Sequence, residues 1–387
     1  MKVLVLNSGS STIKYGLYLM PAETVLAAGR IERIGEHEAR LLHRDEHGER
    51  DEPVAAPDHA SGFAVLLEFL AAHGQPDAIG HRVAHGGTRF QAPARIDPAT
   101  LDAVRELVPL APLHNPANLD GIEAAMSACP GVPQVAVFDT AFHQSMPERA
   151  WRYAVPAAWQ TDFGVRRYGF HGTSIRYVSR LAADCLGRDL AALSMVVLHL
   201  GNGASATAVQ AGRSVDTSMG LSTLEGLVMG TRCGDLDPAV PGYMAARAGL
   251  GLADIDQALH QDSGLKALCG ASDMREIERR AAAGDARAEL AIEVFCYRAR
   301  RHVGALAAAM GQLDAVVFTG GIGEHSATVR ARICAGLQVL GVTLDAAKNA
   351  APGDLPTAVQ AADSGVAVLV IATDEELEIA RQVAEHA

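Results

Sequence analysis

The chain has 387 residues, of which 49% are hydrophobic and 20% charged. This composition is typical of a folded globular protein and excludes wholesale disorder, and a scale of roughly 150 residues per domain favours two domains. The formal net charge of −12 disfavours nucleic acid and anionic membrane surfaces as partners, because both repel an acidic protein. The six cysteines form no CxxC pair, and neither a leader nor an eighteen-residue apolar run is found. We therefore expect a cytoplasmic protein without a membrane span.

The first predicted elements are a buried strand over residues 2–6, a small polar turn over residues 7–12 and a second strand over residues 13–18. The same order recurs over residues 194–210, where Gly203 takes the place of Gly9 about half a chain length later. Repetition at half length predicts two domains of related topology, each opening with a phosphate-sized loop.

The rest of the chain alternates between strand and helix patterns, which predicts an α/β protein. Further strands are predicted over residues 78–83, 132–138 and 313–318, and helices over residues 58–73, 98–107, 118–129, 174–186, 254–261, 273–283, 286–310, 329–340 and 375–384. A third glycine-rich cluster, residues 319–326, follows a strand and precedes a helix. That order is typical of loops that receive anions or nucleotides.

Residues 35–52 are mostly charged and contain His37, His43 and His47. A metal site is one interpretation of these three histidines. We favour a solvated hairpin or loop at a domain edge, because no ligand spacing repeats in this segment.

Three common cofactor motifs are disfavoured by their context. Residues 201–206 fit the dinucleotide pattern GxGxxA, but that pattern opens a helix, whereas residues 206–215 alternate and turn at Gly212 as a hairpin does. None of the four lysines completes a Walker A loop. His81 and His85 have the spacing of a zinc helix, but Arg82 stands where a zinc protease needs glutamate.

Several polar residues stand alone at strand ends or between glycines. Together they form the set that phosphoryl transfer requires, namely donors for a developing charge and an acid for metal or arginine: Asn7, Lys14, Arg82, Asp139, His171 and Arg232.

Nine segments, in this order, resemble the acetokinase family of short-chain carboxylate kinases: residues 4–11, 80–87, 110–116, 138–143, 168–172, 199–203, 230–232, 234–238 and 319–324. The resemblance runs from Asn7 to Glu376. It implies an α/β, duplicated actin-like ATPase (ribonuclease H-like) fold with two domains hinged over the nucleotide cleft. The implied N-terminal domain comprises residues 1–145 plus 376–387, and the C-terminal nucleotide-binding domain residues 146–375.

The resemblance also implies a homodimer that transfers the γ-phosphoryl group of ATP reversibly to acetate, giving acetyl phosphate and ADP, with Mg²⁺ or alternatively Mn²⁺. It places Asn7 and Glu375 at the metal, and Asp139, His171 and Arg232 in catalysis. Acyl-substrate positions by the same resemblance are Arg82, Ala84, Leu113, His114, Phe170 and Thr223. Nucleotide positions are Ser10, Thr12, Lys14, His199, Leu200, Gly201, Asn202, Gly203, Asp273, Met274, Arg275, Gly321, Ile322, Gly323, Glu324 and His325. Because acetate is already ionised at neutral pH, no general base is needed, and we expect Asp139 to orient arginine or metal.

Four positions depart from the family pattern. Thr12 replaces a common serine, His325 a common asparagine, and Ala84 and Thr223 a common valine and proline near the substrate methyl group. The last two leave a propionate or butyrate kinase open as an alternative. A non-catalytic ATP-binding module of the same fold is the alternative from another class, which the intact polar positions disfavour.

Overall fold

The computed structural model describes residues 1–36 and 38–387, so His37 of the alternative metal site lies outside the described residues. Within this part of the chain the strands are β1 (Lys2–Ser8), β2 (Thr12–Leu19), β3 (Thr24–Glu32), β4 (Ala39–Asp45), β5 (Gly48–Val54), β6 (Ala78–Val83), β7 (Ala94–Arg95), β8 (Gln134–Phe138), β9 (Ser194–Leu200), β10 (Ala204–Gln210), β11 (Arg213–Thr217), β12 (Ala315–Thr319), β13 (Thr357–Ala358) and β14 (Ala367–Val370).

The α-helices are α1 (His59–Leu70), α2 (Pro98–Glu106), α3 (Asn115–Ala128), α4 (Glu148–Trp151), α5 (Ala157–Phe163), α6 (Gly172–Leu186), α7 (Val240–Ala248), α8 (Leu252–Gln261), α9 (Gly264–Cys269), α10 (Met274–Ala282), α11 (Ala286–Met310), α12 (Gly320–His325), α13 (Ala327–Cys334), α14 (Ala346–Ala350) and α15 (Glu375–His386). Among the described residues, none of these helices is both long and apolar enough to cross a membrane.

The chain divides into two compact units. The first unit comprises Met1–Gln144 and Asp374–Ala387, and the second unit comprises Ser145–Thr373. The sequence predicted boundaries after residues 145 and 375. Glu375, which that prediction assigns to the second domain, therefore lies in the first unit as the opening residue of α15.

The sheet of the first unit runs β5-β4-β3-β2-β1-β6-β8-β7 across its width. β1, β6 and β8 are parallel neighbours, whereas β1 to β5 form an antiparallel meander. Side chains alternate along β1, so Val3 and Val5 pack against α15, and Leu4 and Leu6 belong to the core that α1 and α3 cover. Most of the charged segment 35–52 lies in the β4–β5 hairpin, so the hairpin is as predicted. It is only partly solvated, because β5 is exposed whereas Leu41 and His43 of β4 are buried.

The sheet of the second unit runs β11-β10-β9-β12-β14-β13. Its parallel strands are β9, β12 and β14, and β9, β10 and β11 form an antiparallel meander. The long helix α11 supplies Ala291, Ile292 and Phe295 to the core of this unit. The two units thus repeat one strand order, three parallel strands with an antiparallel meander beside the first of them, as the repeated strand–turn–strand pattern predicts.

Two sequence predictions near the third glycine cluster are corrected. The helix predicted over residues 329–340 ends at Cys334, because Gly336 adopts a φ of +97°, a left-handed backbone that ends an α-helix. The glycine-rich loop after β12 is itself the helix α12, because Gly320, at a φ of +75°, turns the chain directly from strand into helix. The elements that were not predicted are β3, β7, β13, β14, α4, α5, α7, α9 and α14.

Candidate active site

Arg82 and Asp139 form a two-pronged ion pair in the first unit. Arg82 lies near the carboxyl end of β6, and Asp139 follows the end of the parallel neighbour β8. The Nε atom of Arg82 donates to Oδ1 of Asp139 at 3.1 Å, and Nη2 donates to Oδ2. Carboxyl ends of parallel strands meet at one edge of a sheet, where open α/β folds place their sites. Asp139 therefore fixes the plane of the Arg82 guanidinium.

Asn7 and Glu375 lie beside the same guanidinium. Asn7 is the last residue but one of β1, and its Oδ1 accepts from Nη1 of Arg82 at 3.3 Å. The Oε2 atom of Glu375 is 3.9 Å from Nε of Arg82. Burial raises the pKa of Glu375 to about 7; Arg82 and, more weakly, Lys14 oppose this rise, whereas Asp139 and Glu376 add to it. The positive charges near Glu375 therefore only partly offset its burial and the neighbouring carboxylates.

The predicted metal ligands fit a hard divalent cation by donor chemistry. An amide oxygen of Asn7 and a carboxylate of Glu375 are the oxygen donors that Mg²⁺ prefers, and the raised pKa of Glu375 indicates a carboxylate that further positive charge would stabilise. Among the described residues, no group of three or more His, Cys, Asp or Glu side chains is arranged to hold a metal.

The other predicted residues of the first unit lie around the ends of its strands. Lys14 is exposed on β2 and stands opposite Asn7 in the strand register. Ser10 and Thr12 belong to the turn after β1, in which the Gly9 N–H donates to the Thr12 carbonyl at 2.8 Å.

Three predicted acyl-site residues also belong to this unit. Ala84 is buried just after β6, and its N–H donates to Oδ1 of Asn118 at 2.9 Å. Leu113 is 59% exposed, a large fraction for leucine, and His114 precedes the first turn of α3.

His171 is held in an unusual backbone conformation in the second unit. It immediately precedes α6 with a φ of +61°, a left-handed value that is uncommon outside glycine and asparagine. Its Nδ1 atom lies 3.0 Å from Oγ of Ser205, and its ring stacks on that of His199 with centroids 4.2 Å apart. His199 in turn is hydrogen-bonded through Nδ1 to Oγ of Ser174 at 2.8 Å. The imidazole of His171 is thus fixed by both a hydrogen bond and a stack.

Arg232 and His171 converge on Gly203. A Cβ atom placed on Gly203 would lie 3.5 Å from Nη1 of Arg232 and 3.5 Å from Nε2 of His171. Burial lowers the pKa of Arg232, and within the part of the chain that the structure describes no carboxylate pairs with it. A half-buried guanidinium and an imidazole nitrogen therefore face the same small volume next to a glycine, which is the chemistry of an anion site.

The loop that carries Arg232 is anchored by backbone hydrogen bonds. The Leu265 and Lys266 N–H groups donate to the Met229 and Gly230 carbonyls, both at 2.9 Å. The predicted acyl-site residue Thr223 meets Arg232 through its carbonyl, which accepts from Nη1 at 3.1 Å. Phe170, also predicted for the acyl site, is buried in the core of the unit.

A cleft of about 490 Å³ in the second unit brings together eight of the thirteen predicted nucleotide residues of that unit. This volume lies within the range of small-molecule sites. Its lining includes the predicted residues Gly201, Asn202, Asp273, Met274, Arg275, Gly321, Ile322 and His325, joined by Ser272, Glu278 and Ser326, which were not predicted. Asp273 caps α10, and its carboxylate pairs with Arg275.

Five predicted nucleotide residues of the same unit do not line this cleft: His199, Leu200, Gly203, Gly323 and Glu324. Leu200 and Gly323 are buried. The Glu324 carboxylate accepts from the N–H groups of Gly320 at 2.9 Å and Thr373 at 3.2 Å. Glu324 thus joins the start of α12 to the segment after β14.

Sequence reasoning missed Arg167 and its partners. Arg167 donates to the carbonyls of Thr217, Ser218 and Met219 and pairs with Glu225, which also accepts from the Tyr153 hydroxyl. These bonds hold the start of the loop that leads to Thr223 and Arg232. Each joins residues about fifty or more positions apart, so no local pattern could have indicated them.

Comparison with known proteins agrees with this geometry. The model of the family described as the Acetokinase family matches residues 2–381. A relative named acetate kinase from Deinococcus deserti is 53% identical over 389 residues, covering 99% of this chain and 97% of the relative. The acetate kinase of Syntrophobacter fumaroxidans is 51% identical over 396 residues, covering 99% of this chain and 96% of the relative.

Two solved structures superpose closely on the chain. The acetate kinase of Porphyromonas gingivalis is 42% identical with a TM-score of 0.94, and a propionate kinase from Francisella tularensis is 40% identical with a TM-score of 0.94; each match covers 99% of both chains. The fold is the α/β, duplicated actin-like ATPase fold that the sequence predicts. The chain belongs to the acetokinase family.

Proposed function

We propose that this protein is an acetate kinase, which transfers the γ-phosphoryl group of ATP reversibly to acetate and yields acetyl phosphate and ADP. The observation that carries the proposal is the convergence of Arg232 and Nε2 of His171 on Gly203. Donors aimed at one small volume suit a phosphoryl group whose equatorial oxygens gain charge during transfer.

The residues of the first unit bind and orient the acid in this proposal. Arg82 binds the acetate carboxylate through the second hydrogen of Nη1 and of Nη2, because Asp139 accepts from Nε and Nη2, and Asn7 accepts from Nη1. Ala84, Leu113 and His114 of this unit, together with Phe170 and Thr223, contact the acyl group. Asp139 keeps Arg82 in place and transfers no proton, because acetate is ionised at neutral pH. Attack in line with the leaving oxygen then depends on positioning, which alone can supply much of the rate.

The residues of the second unit hold the nucleotide and the migrating group. The cleft beside Asn202, Asp273 and Ile322 takes the adenosine. Arg232 and His171 donate to the phosphoryl oxygens in the transition state. Lys14, Ser10 and Thr12 contribute further donors to the phosphates.

A divalent metal completes the proposed chemistry. Asn7 and Glu375 would hold it, and we propose Mg²⁺, with Mn²⁺ as a substitute. Such an ion would supply positive charge that offsets the charge developing during phosphoryl transfer.

Domain roles, assembly and compartment are part of the same proposal. The first unit, near residues 1–145 plus the C-terminal helix, serves as the acyl-binding domain, and the second as the nucleotide-binding domain. The protein acts as a homodimer, which light scattering after gel filtration tests. Because the six cysteines are free thiols, a reducing compartment such as the cytoplasm suits it.

The test is a coupled assay of ADP release with ATP, Mg²⁺ and acetate, in which acetyl phosphate is trapped as its hydroxamate. We expect turnover that requires all three components, and a loss on the order of 10²-fold or more for Arg82→Ala and Arg232→Ala. Arg332→Ala, which removes a surface ion pair with Glu289, is the matched control. Wild-type turnover in either site variant, or none in the wild type, contradicts the proposal.

The same assay shows which carboxylic acid is the preferred substrate. Ala84 stands where the family commonly has valine, and pockets of this kind discriminate one methylene by roughly 10- to 200-fold at most. A higher kcat/KM for propionate or butyrate than for acetate would assign the protein to the alternative substrate.

A further inference from the structure

We propose that Ser205 is a positioning residue that fixes His171 as the neutral tautomer with its proton on Nε2, so that Nε2–H faces the phosphoryl group. This inference rests on the proposed function for its kinetic consequence. The tautomer itself is a property of the protein alone.

The hydroxyl of Ser205 determines which ring nitrogen of His171 carries the proton. Ser205 lies on β10 and is 0% exposed. Its Oγ atom is 3.0 Å from Nδ1 of His171, and this nitrogen is its one hydrogen-bond partner among residues 1–36 and 38–387. A buried O–H group left without an acceptor costs free energy. The serine therefore donates to Nδ1, which must carry a lone pair, and the ring proton is on Nε2.

Stacking fixes the orientation of the His171 ring. The stack on His199, at an interplanar angle of 25°, restrains the ring plane. His199 is itself restrained, since Oγ of Ser174 bonds both to its Nδ1 and to Oγ1 of Thr373, each at 2.8 Å. With Nδ1 turned to Ser205, Nε2 faces the volume above Gly203 that the Arg232 guanidinium also faces.

The chemical consequence follows from which nitrogen carries the proton. As the Nε2–H tautomer, His171 donates a hydrogen bond to the phosphoryl oxygens without adding charge beside Arg232. In the other tautomer the Nε2 lone pair would face those anionic oxygens, and repulsion would replace a hydrogen bond. Loss of Ser205 frees the ring to adopt that tautomer, so the rate of transfer falls while the nucleotide cleft stays intact.

Kinetics of three variants test the inference. We expect Ser205→Ala to lower kcat by about 10- to 100-fold, the effect of one lost transition-state donor or somewhat less, with the KM for ATP within threefold. Ser205→Thr keeps the hydroxyl and should recover most of the rate. Ser194→Ala is the matched control, because Ser194 is an equally buried serine of the same sheet that accepts from Gln210 and Gln312 instead; its kcat should stay within twofold of the wild type. Thermal unfolding of each variant confirms the fold.

Nitrogen-15 NMR of protein labelled at its histidines gives a readout that does not depend on activity. The signals of His171 are those absent from a His171→Gln sample. We expect a protonated Nε2 and an unprotonated Nδ1 in the wild type, and a mixed or reversed pattern in Ser205→Ala.

The outcomes separate this inference from the proposed function. A wild-type protein without kinase activity overturns the proposed function, but the nitrogen-15 spectrum of His171 still tests the tautomer. A protonated Nδ1 in the wild type, an unchanged kcat in Ser205→Ala, or an equal loss in Ser194→Ala overturns the inference.

Discussion

Arg82 is the residue whose surroundings most constrain its role. Three groups engage its guanidinium, namely the Asp139 carboxylate, the Asn7 amide oxygen and, at 3.9 Å, Glu375. A fork of this kind fixes direction as well as charge. The partner carboxylate is therefore committed to the arginine, which leaves it poorly suited to carry protons.

Replacing Asp139 by asparagine tests that commitment. Asp139→Asn keeps the size but loses one charge-assisted hydrogen bond, so we expect kcat/KM for acetate to fall by about 10- to 100-fold. The shape of the pH–rate profile should stay the same, because no proton passes through this residue. Steady-state kinetics between pH 6 and 9 measure both. Glu106→Gln, which removes a surface pair with Arg89, is the control. Disappearance of one limb of the profile in Asp139→Asn would instead assign a proton-transfer role.

Gly203 is required for open space rather than for backbone freedom. A Cβ atom there would make ordinary van der Waals contacts of 3.5 Å with Arg232 and His171. We expect Gly203→Ala to fold normally and to lose kcat by about 10²-fold or more, because the methyl group occupies the volume that both donors face.

The matched control for this substitution is Gly304→Ala. Gly304 lies in α11 with nothing within 4 Å of the added Cβ atom, so this variant should keep its kcat and gain about 0.5–1 kcal/mol of stability. Comparable activity of Gly203→Ala and Gly304→Ala would show that Gly203 does not border the phosphoryl site.

At the scale of elements, the sequence predicts the parts of the site that carry a local pattern. Short apolar runs next to glycine-rich turns correctly predicted β1, β2, β9 and β10, and His171 and Arg232 stand between glycines that mark their loops. The partners that orient these residues have no such mark. Ser205 meets His171 only because β10 passes beside the start of α6, 34 positions along the chain.

Helix α12 shows a second reason why the sequence did not predict part of the structure. Its glycine-rich sequence is typical of a loop, since glycine disfavours a helix interior. The helix forms because the fold supplies anchors at both ends. At the first end, the Glu324 carboxylate accepts from the Gly320 N–H. At the other end, the buried guanidinium of Arg330 donates to the Gly323 and Glu324 carbonyls at 2.9 and 2.8 Å. Side-chain hydrogen bonds at both ends of the segment thus override the low helix propensity of its glycines.

Arg330 therefore offers a test of how α12 supports the nucleotide cleft. The side chain is 1% exposed and also donates to the side chain and backbone carbonyl of Asn349. Arg330→Met leaves these acceptors unpaired, so we expect a loss of about 2–4 kcal/mol of stability and a higher KM for ATP, since α12 lines the cleft.

Denaturant unfolding followed by tryptophan fluorescence measures the stability of this variant, because Trp151 and Trp159 both lie in the second unit. Arg332→Met on the same helix α13 loses only a partly exposed pair with Glu289 and should cost less than about 1 kcal/mol. Equal losses in the two variants would contradict the anchoring role of Arg330.

At the scale of the whole molecule, the two units share a strand order but place different chemistry on it. In both, site residues lie at or just after the carboxyl ends of the parallel strands: Asn7, Arg82 and Asp139 in the first unit, and His199 and the glycine cluster after β12 in the second. Duplication of the sheet explains why the sequence could predict the architecture from one repeated pattern. Different residues on matching strand ends explain why the first unit combines Arg82 with the carboxylates Asp139 and Glu375, whereas the second offers the donors His171 and Arg232.

The stability of the first unit should depend on pH through His81. This histidine is buried on β6, its Nε2 lies 2.7 Å from the Gln134 side-chain oxygen, and burial lowers its pKa to about 4. Above pH 6.5 the ring is neutral whether the chain is folded or unfolded. Between pH 6.5 and about 4 only the unfolded chain binds the proton, so stability falls as the pH drops, by about 2 kcal/mol at pH 5.

The double variant His81→Leu/Gln134→Leu removes the titrating group together with its partner, so neither is left buried and unpaired. Because both tryptophans lie in the second unit, hydrogen exchange of peptides from β6 and β8 is the suitable measurement, made at pH 7, 6 and 5 with the intrinsic exchange rate corrected. We expect protection to decrease with falling pH in the wild type, and to decrease less by about 2 kcal/mol at pH 5 in the double variant. The same pH dependence in both proteins would show that other groups control the acid stability of this unit.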